Sequence, residues 1–159
     1  MLLAVLTVSD RCSQGLLTDT AGPAVAALLE SRWPQAKFWT GLVPDDEDLI
    51  AATLEKLTLQ DAALVLTVGG TGVGPRDRTP EATRRVLDRE APGLAEAMRS
   101  LGAAANPFSW LSRGVAGLKG GTLIVNLPGS KRGAEQSLTS ILPLLEHALE
   151  VVAGSQVHP

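Results

Sequence analysis

The sequence predicts an α/β protein, a three-layer α/β/α sandwich built on a mostly parallel sheet. Three observations predict it. Short apolar runs stand at Leu2 to Val8, Ala62 to Val68 and Thr122 to Leu127, segments of helical period lie between them, and loops rich in glycine and charge follow them. A strand covered on both faces is apolar along its whole length, as in parallel sheets roofed by helices. Strands that alternate with helices throughout give layers of this kind.

The elements follow in order. The first run ends in the polar loop Ser9, Asp10, Arg11. Ala21 to Arg32 reads as a helix with Val25, Leu28 and Leu29 at helical spacing, stopped by Pro34. Ala36 to Val43 is a second strand, and Glu47 to Leu57 a helix whose Ile50, Leu54 and Leu57 share one face. Ala62 to Val68 closes on Gly69, Gly70, Gly72 and Gly74. Thr79 is expected to cap the next helix, with Pro80 at its first position and Glu81 in its first turn. Gly93 to Ala105 reads as a further helix, Asn106 to Leu111 as an irregular connection, and Arg113 to Leu118 as a shorter strand before the Gly120, Gly121 turn. The last helix carries the stripe Leu138, Ile141, Leu142, Leu145 and Leu149, which Pro143 is expected to kink or restart.

At 159 residues, 45% hydrophobic and 19% charged, the chain is expected to form one domain over 1–159. Three tryptophans, two phenylalanines and no tyrosine require an aliphatic core. The single cysteine, Cys12, forms no internal disulfide, which fits a reducing compartment. His147 and His158 make no ligand pair, so a protein-built zinc site is not expected. MLLAVLTVSD is too short to span a membrane and lacks a basic leader, and a cytoplasmic location is expected. A net charge of -3 gives no electrostatic case for nucleic acid or membrane. A phosphate ligand would depend on Arg11, Arg76, Arg78, Lys131 and Arg132, expected to make the pocket locally positive.

Ligands of open α/β sheets bind beyond the carboxyl ends of the strands. Four loops stand there: Ser9 to Arg11, Pro44 to Asp46, Gly69 to Arg78, and Pro128 to Arg132. Gly69, Gly70 and Gly72 allow backbone N–H groups to face inward and a phosphate to come close. The loop is not a P-loop, because Pro75 and Arg76 follow Gly74, nor does a dinucleotide-type glycine motif follow the first strand. Asp77, between Arg76 and Arg78, is expected to be ionised and, with Asp45, able to hold Mg²⁺. Taken singly, Asp45 also reads as a helix-start charge and Asp77 as half of a surface ion pair. Asp46, Glu47 and Asp48 read as helix-start acids.

The segments TVSDR (Thr7 to Arg11), PDD (Pro44 to Asp46), VGGTGVGPRDRTPEAT (Val68 to Thr83), LSR (Leu111 to Arg113) and NLPGS (Asn126 to Ser130) occur in one order along the chain. In these the chain resembles the MogA/MoaB family of molybdenum cofactor biosynthesis proteins, whose fold recurs in the G domain of gephyrin. The resemblance implies a molybdopterin-binding-like fold and an adenylyltransferase that joins AMP from ATP to molybdopterin with release of pyrophosphate. It places catalytic and Mg²⁺-holding roles on Asp45 and Asp77. It places nucleotide or pterin contacts on Ser9, Asp10, Gly69, Gly70, Thr71, Gly72, Arg76, Pro128, Gly129 and Ser130. It also implies a homo-oligomer, trimer or hexamer, and a downstream partner that inserts molybdate. The alternative it allows is a non-catalytic molybdopterin-binding protein of the same fold. Two positions depart from the family: Ala21 stands where serine is common before Gly22, and Lys131 where proline is common after Ser130.

Overall fold

The computed structural model describes residues 1–154, so His158 lies outside the described residues. Strand β1 (Leu2–Val8) is followed by a four-residue helix α1 (Asp10–Ser13) and by α2 (Ala21–Arg32). Then come β2 (Lys37–Val43), α3 (Glu47–Leu59), β3 (Ala62–Val68), α4 (Thr79–Val86), β4 (Arg89–Glu90) and α5 (Pro92–Ala103). A 3-10 helix (Pro107–Leu111), β5 (Ala116–Lys119), β6 (Thr122–Leu127) and α6 (Lys131–Val152) complete it.

The sheet order is β2-β1-β3-β6-β5-β4. β2, β1, β3 and β6 run parallel, while β5 and β4 form an antiparallel edge. Side chains of a strand alternate between faces, and both faces here are covered. Leu3, Val5, Leu64 and Leu66 pack with Val25 and Leu29 of α2 and with Leu138, Ile141 and Leu145 of α6. Ala4, Leu6 and Val65 pack with Ile50 and Leu54 of α3 and with Ala82 and Val86 of α4. This is the layered sandwich that the apolar runs predict.

The departures have physical causes. Helix α6 passes through Pro143 without a break. Pro143 and Thr139 both lie on the exposed face, where water can take the carbonyl that proline leaves unbonded, while Ile141, Leu145 and Leu149 hold the buried face. Thr79 does not cap α4: its hydroxyl donates to the Gly69 carbonyl at 2.9 Å, and Arg78 holds the cap position without a side-chain bond. A buried loop carbonyl needs a donor, and Thr79 is fully buried. The strand expected from Arg113 begins only at Ala116, and the two-residue β4 and the short α1 have too few residues to carry a period.

The order in which strands are added reverses at β1, because β2 lies on one side of β1 and β3, parallel to it, on the other. That switch point opens a crevice at the carboxyl ends. Buried Asn126 braces the sheet beside it. Its amide donates to the hydroxyls of Thr67 and Thr83 at 2.9 Å each, and its side-chain oxygen accepts from the Val115 N–H at 3.1 Å. Asn126→Leu strands these partners and should cost about 2–4 kcal/mol, since each unsatisfied buried group costs roughly 1–3 kcal/mol. Urea denaturation checks this, and a loss below about 0.5 kcal/mol would contradict the bracing role.

Candidate active site

Two adjoining clefts lie over the strand ends. The first, about 610 Å³, is lined by the β1 loop, Asp45, Gly69, Gly70, Asp77 and the Gly129 to Lys131 turn. The second, about 530 Å³, lies between the glycine loop, the 3-10 helix and the start of α6, and shares Gly70, Asp77, Gly129 and Ser130 with the first.

The glycine loop is shaped by close approaches. Gly69 and Gly70 have φ of +108° and +64°, angles that L side chains rarely adopt. A methyl group at Gly70 would stand 2.9 Å from Asp45 Oδ1, and one at Gly72 would stand 2.9 Å from Asp77 Oδ2. The bare backbone thus seats both carboxylates against the loop. The Gly69 N–H is spent on the Leu127 carbonyl at 3.1 Å. Among the described residues, the N–H groups of Gly70, Thr71 and Gly72 have no hydrogen-bond partner in the protein. With the Val73 N–H, likewise unpaired among the described residues, they are the donors left for an anion.

Asp10 and Asp45 exchange bonds. The Asp10 N–H donates to Asp45 Oδ2 at 2.8 Å and the Asp45 N–H donates to Asp10 Oδ1 at 3.0 Å. Arg76 Nε donates to the other Asp10 oxygen at 3.0 Å, and Arg76 and the Asp45 amide hold the Asp10 carboxyl below the usual carboxylate range. Asp10 therefore aligns the loops, and Arg76 lies outside the lining of both clefts. Ser9 and Ser130 serve as N-caps, accepting from the Cys12 and Gly133 N–H groups. Pro128 and Gly129 set the α6 N-terminus over the clefts, and Thr71 is buried with its carbonyl bonded to the Arg113 N–H at 2.8 Å.

Neither arginine flanking Asp77 pairs with it. Arg76 bonds Asp10 and Arg78 bonds Glu47, while Asp77 Oδ2 accepts from the Gly74 N–H at 2.8 Å. The expected positive pocket is not found in the first cleft, where Asp10, Asp19, Asp45 and Asp77 face only Arg11 and Lys131. Of the loop arginines, Arg76 and Arg78 are held in ion pairs with Asp10 and with Glu47 at the start of α3.

Residues 4–147 match the family described as "Probable molybdopterin binding domain". This chain belongs to that family. Within it, the chain is 36% identical over 155 residues to a protein named molybdopterin adenylyltransferase from Helicobacter pylori, covering 96% of this chain and 88% of that one. It is 38% identical over 149 residues to the molybdenum cofactor synthesis protein cinnamon of Drosophila melanogaster, of which it spans only 25%. The solved structure of the molybdopterin biosynthesis enzyme MoaB from Thermus thermophilus superposes with a TM-score of 0.87 at 47% identity, covering 96% of both chains.

Two further groups in this neighbourhood have no role assigned by their spacing. Asp19 accepts from the Thr7 hydroxyl at 2.6 Å and from the Ala21 and Gly22 N–H groups, tying the α2 start to β1. An aspartate just before an apolar helix carries that capping signal. Arg113 reaches across to the glycine loop, and nothing in its local sequence announces the reach.

Among the described residues no group of three or more His, Cys, Asp or Glu side chains is placed to hold a metal. The donor set nonetheless fits Mg²⁺, which commonly takes one or two carboxylates and completes its shell with substrate phosphates and water. Asp45 and Asp77 each keep one oxygen free of hydrogen bonds among the described residues. Burial raises the Asp45 pKa above its ordinary value, with further upward push from Asp10 and Asp77 against the Asp10 amide and Arg76. A carboxyl raised on folding favours the native state below its unfolded pKa, and that contribution is lost as pH climbs through the raised value. At neutral pH the ionised Asp45 therefore opposes folding. Asp45→Asn, which keeps an acceptor for the Asp10 N–H, should melt above wild type at pH 7, with the gap closing in the carboxylate range. Added Mg²⁺ should raise the melting temperature of wild type and not of the variant. A variant that melts lower at pH 7 would contradict this account.

Proposed function

We propose that this chain is a molybdopterin adenylyltransferase, transferring AMP from ATP to the phosphate of molybdopterin and releasing pyrophosphate. The observation that carries the reading is the seating of Asp45 and Asp77 against a glycine loop whose N–H groups are unbonded, where two clefts meet. Two adjoining clefts suit a reaction that joins two substrates. Relatives named molybdopterin adenylyltransferase, 36–39% identical over most of the chain, support the same reading.

In this reaction a molybdopterin phosphate oxygen attacks the α-phosphorus of ATP in line. The bond from that phosphorus to the bridging oxygen breaks, and pyrophosphate leaves with the electron pair. The attacking oxygen is already ionised and requires no general base. What the protein must supply is alignment and charge stabilisation. The N–H groups of Gly70, Thr71 and Gly72 and the α6 N-terminus at Ser130 bind phosphate oxygens. Lys131, where the family commonly has proline, adds a cation to the first cleft. Asp45 and Asp77 are the residues that would hold Mg²⁺, which when bound would neutralise phosphate charge. The excess of carboxylates in this cleft makes such a cation necessary, because two bare carboxylates would otherwise repel a polyphosphate.

The same reading makes the protein a cytoplasmic homo-oligomer, a trimer or hexamer, with a molybdate-inserting protein downstream. Among the described residues no helix is long and apolar enough to cross a membrane. Phe108, Trp110 and Leu111, exposed side by side on the 3-10 helix, support self-association.

Asp77→Ala should lower the rate of pyrophosphate release about 10²-fold or more and leave molybdopterin affinity within about threefold. Coupled pyrophosphate detection and equilibrium pterin binding on the same sample measure both. Near-normal turnover in the variant would remove Asp77 from the mechanism. Wild type that binds pterin and never releases pyrophosphate would establish the non-catalytic alternative.

A further inference from the structure

Arg113 stands in the crossing between the 3-10 helix and β5, far along the chain from the glycine loop, yet it holds that loop at three points and the following helix at a fourth. Its backbone N–H donates to the Thr71 carbonyl at 2.8 Å. Its Nε donates to the Gly72 carbonyl and one terminal nitrogen to the Asp77 carbonyl, both at 2.6 Å. The other terminal nitrogen pairs with Glu81 on α4, and that bond holds the Glu81 carboxyl below the usual carboxylate range. One planar guanidinium thus takes three acceptors in different directions.

The crossing that carries it is itself fixed. Arg99 of α5 donates to the Ser112 and Gly114 carbonyls at 3.3 and 3.0 Å, and Asn126 accepts from the Val115 N–H. Arg113 is therefore mounted on the β6 side of the sheet and reaches over to the β3 loop.

A trans peptide is planar, with its carbonyl and the following N–H on opposite sides. A carbonyl pinned toward Arg113 therefore sends the next N–H the other way. Pinning Thr71 and Gly72 directs the N–H groups of Gly72 and Val73 away from Arg113, and pinning Asp77 fixes the backbone that aims its carboxylate. Gly72 and Asp77 line the second cleft, and Arg113 does not.

We propose that Arg113 is a positioning residue for the transfer reaction: through the Thr71, Gly72 and Asp77 carbonyls it orients the loop N–H donors and the Asp77 carboxylate toward the bound phosphates. The role rests on the adenylyltransferase reading but is testable apart from it. Glu81 anchors the guanidinium in the plane that reaches both carbonyls. A lysine would keep the charge and lose the fork.

The test compares wild type, Arg113→Lys and Glu81→Gln by pyrophosphate release, by calorimetric binding of ATP with Mg²⁺, and by hydrogen exchange over residues 70–78 with and without that ligand. Arg113→Lys should lower kcat about 10-fold or more, as misaligned reacting groups do, with the KM for molybdopterin within about twofold. It should also lose the ligand-induced protection of 70–78 while wild-type protection elsewhere persists. Glu81→Gln should show the same pattern more weakly, and it carries the test if Arg113→Lys does not fold. Normal kcat, or unchanged protection of 70–78 in a folded Arg113→Lys, overturns the proposal. Wild type that binds ATP and Mg²⁺ with protection of 70–78 but releases no pyrophosphate overturns the reading of function. Loss of that protection in the variant would still support the orienting role.

Discussion

The clefts depend on the meeting of Gly69 and Gly129 at the ends of two neighbouring parallel strands. A methyl group on Gly129 would stand 3.1 Å from the Gly69 Cα, and one on Gly69 would stand 2.3 Å from the Val8 carbonyl. Three strand ends are thereby drawn together with no side chain between them. The loops that leave those ends are forced into one neighbourhood, which is why Ser9, Asp45, Gly70 and Ser130, spread over the whole sequence, line a single cleft. A side chain at either glycine would separate the loops before it touched any ligand.

What gathers there is electrostatically unfavourable in isolation. Asp45 is pushed up by burial and by two acidic neighbours, and Arg76, bonded to Asp10, offsets this only in part. Such local opposition to folding is common where a site is preorganised for charge that arrives with a ligand. The surrounding sandwich, with a core of fully buried leucines, isoleucines and valines on both faces of the sheet, supplies the stability that tolerates it.

Much of this was legible in the sequence. Apolar runs without alternation marked β1, β3 and β6 as covered strands, and the helical period of Ile50, Leu54 and Leu57 placed α3. The rule that ligands sit beyond strand ends selected the four loops, and Asp45, Gly70, Asp77 and Ser130 share a cleft as it required. The use of the arginines was not legible, because adjacency in sequence says nothing of which acid a long side chain reaches. Arg76 and Arg78 turn from Asp77 to Asp10 and Glu47, so charge counted along the loop overstated the positive field of the cleft. The Arg113 clamp was hidden for a related reason. Two of its side-chain partners are backbone carbonyls, which every residue has, and they lie 36 and 41 residues away. Pro143 misled because its cost depends on which face of the helix it occupies, and that is fixed only by packing.

Asp45 and Asp77, on this account, together hold one divalent ion with nucleotide phosphates over the glycine loop. A crystal grown with a non-hydrolysable ATP analogue and Mn²⁺, measured for anomalous scattering, tests it most directly. One anomalous peak should appear in contact with both carboxylates and a phosphate oxygen, with further phosphate oxygens on the N–H groups of Gly70 to Gly72. Nucleotide bound in the cleft with no metal between these carboxylates, or bound elsewhere on the protein, would contradict it.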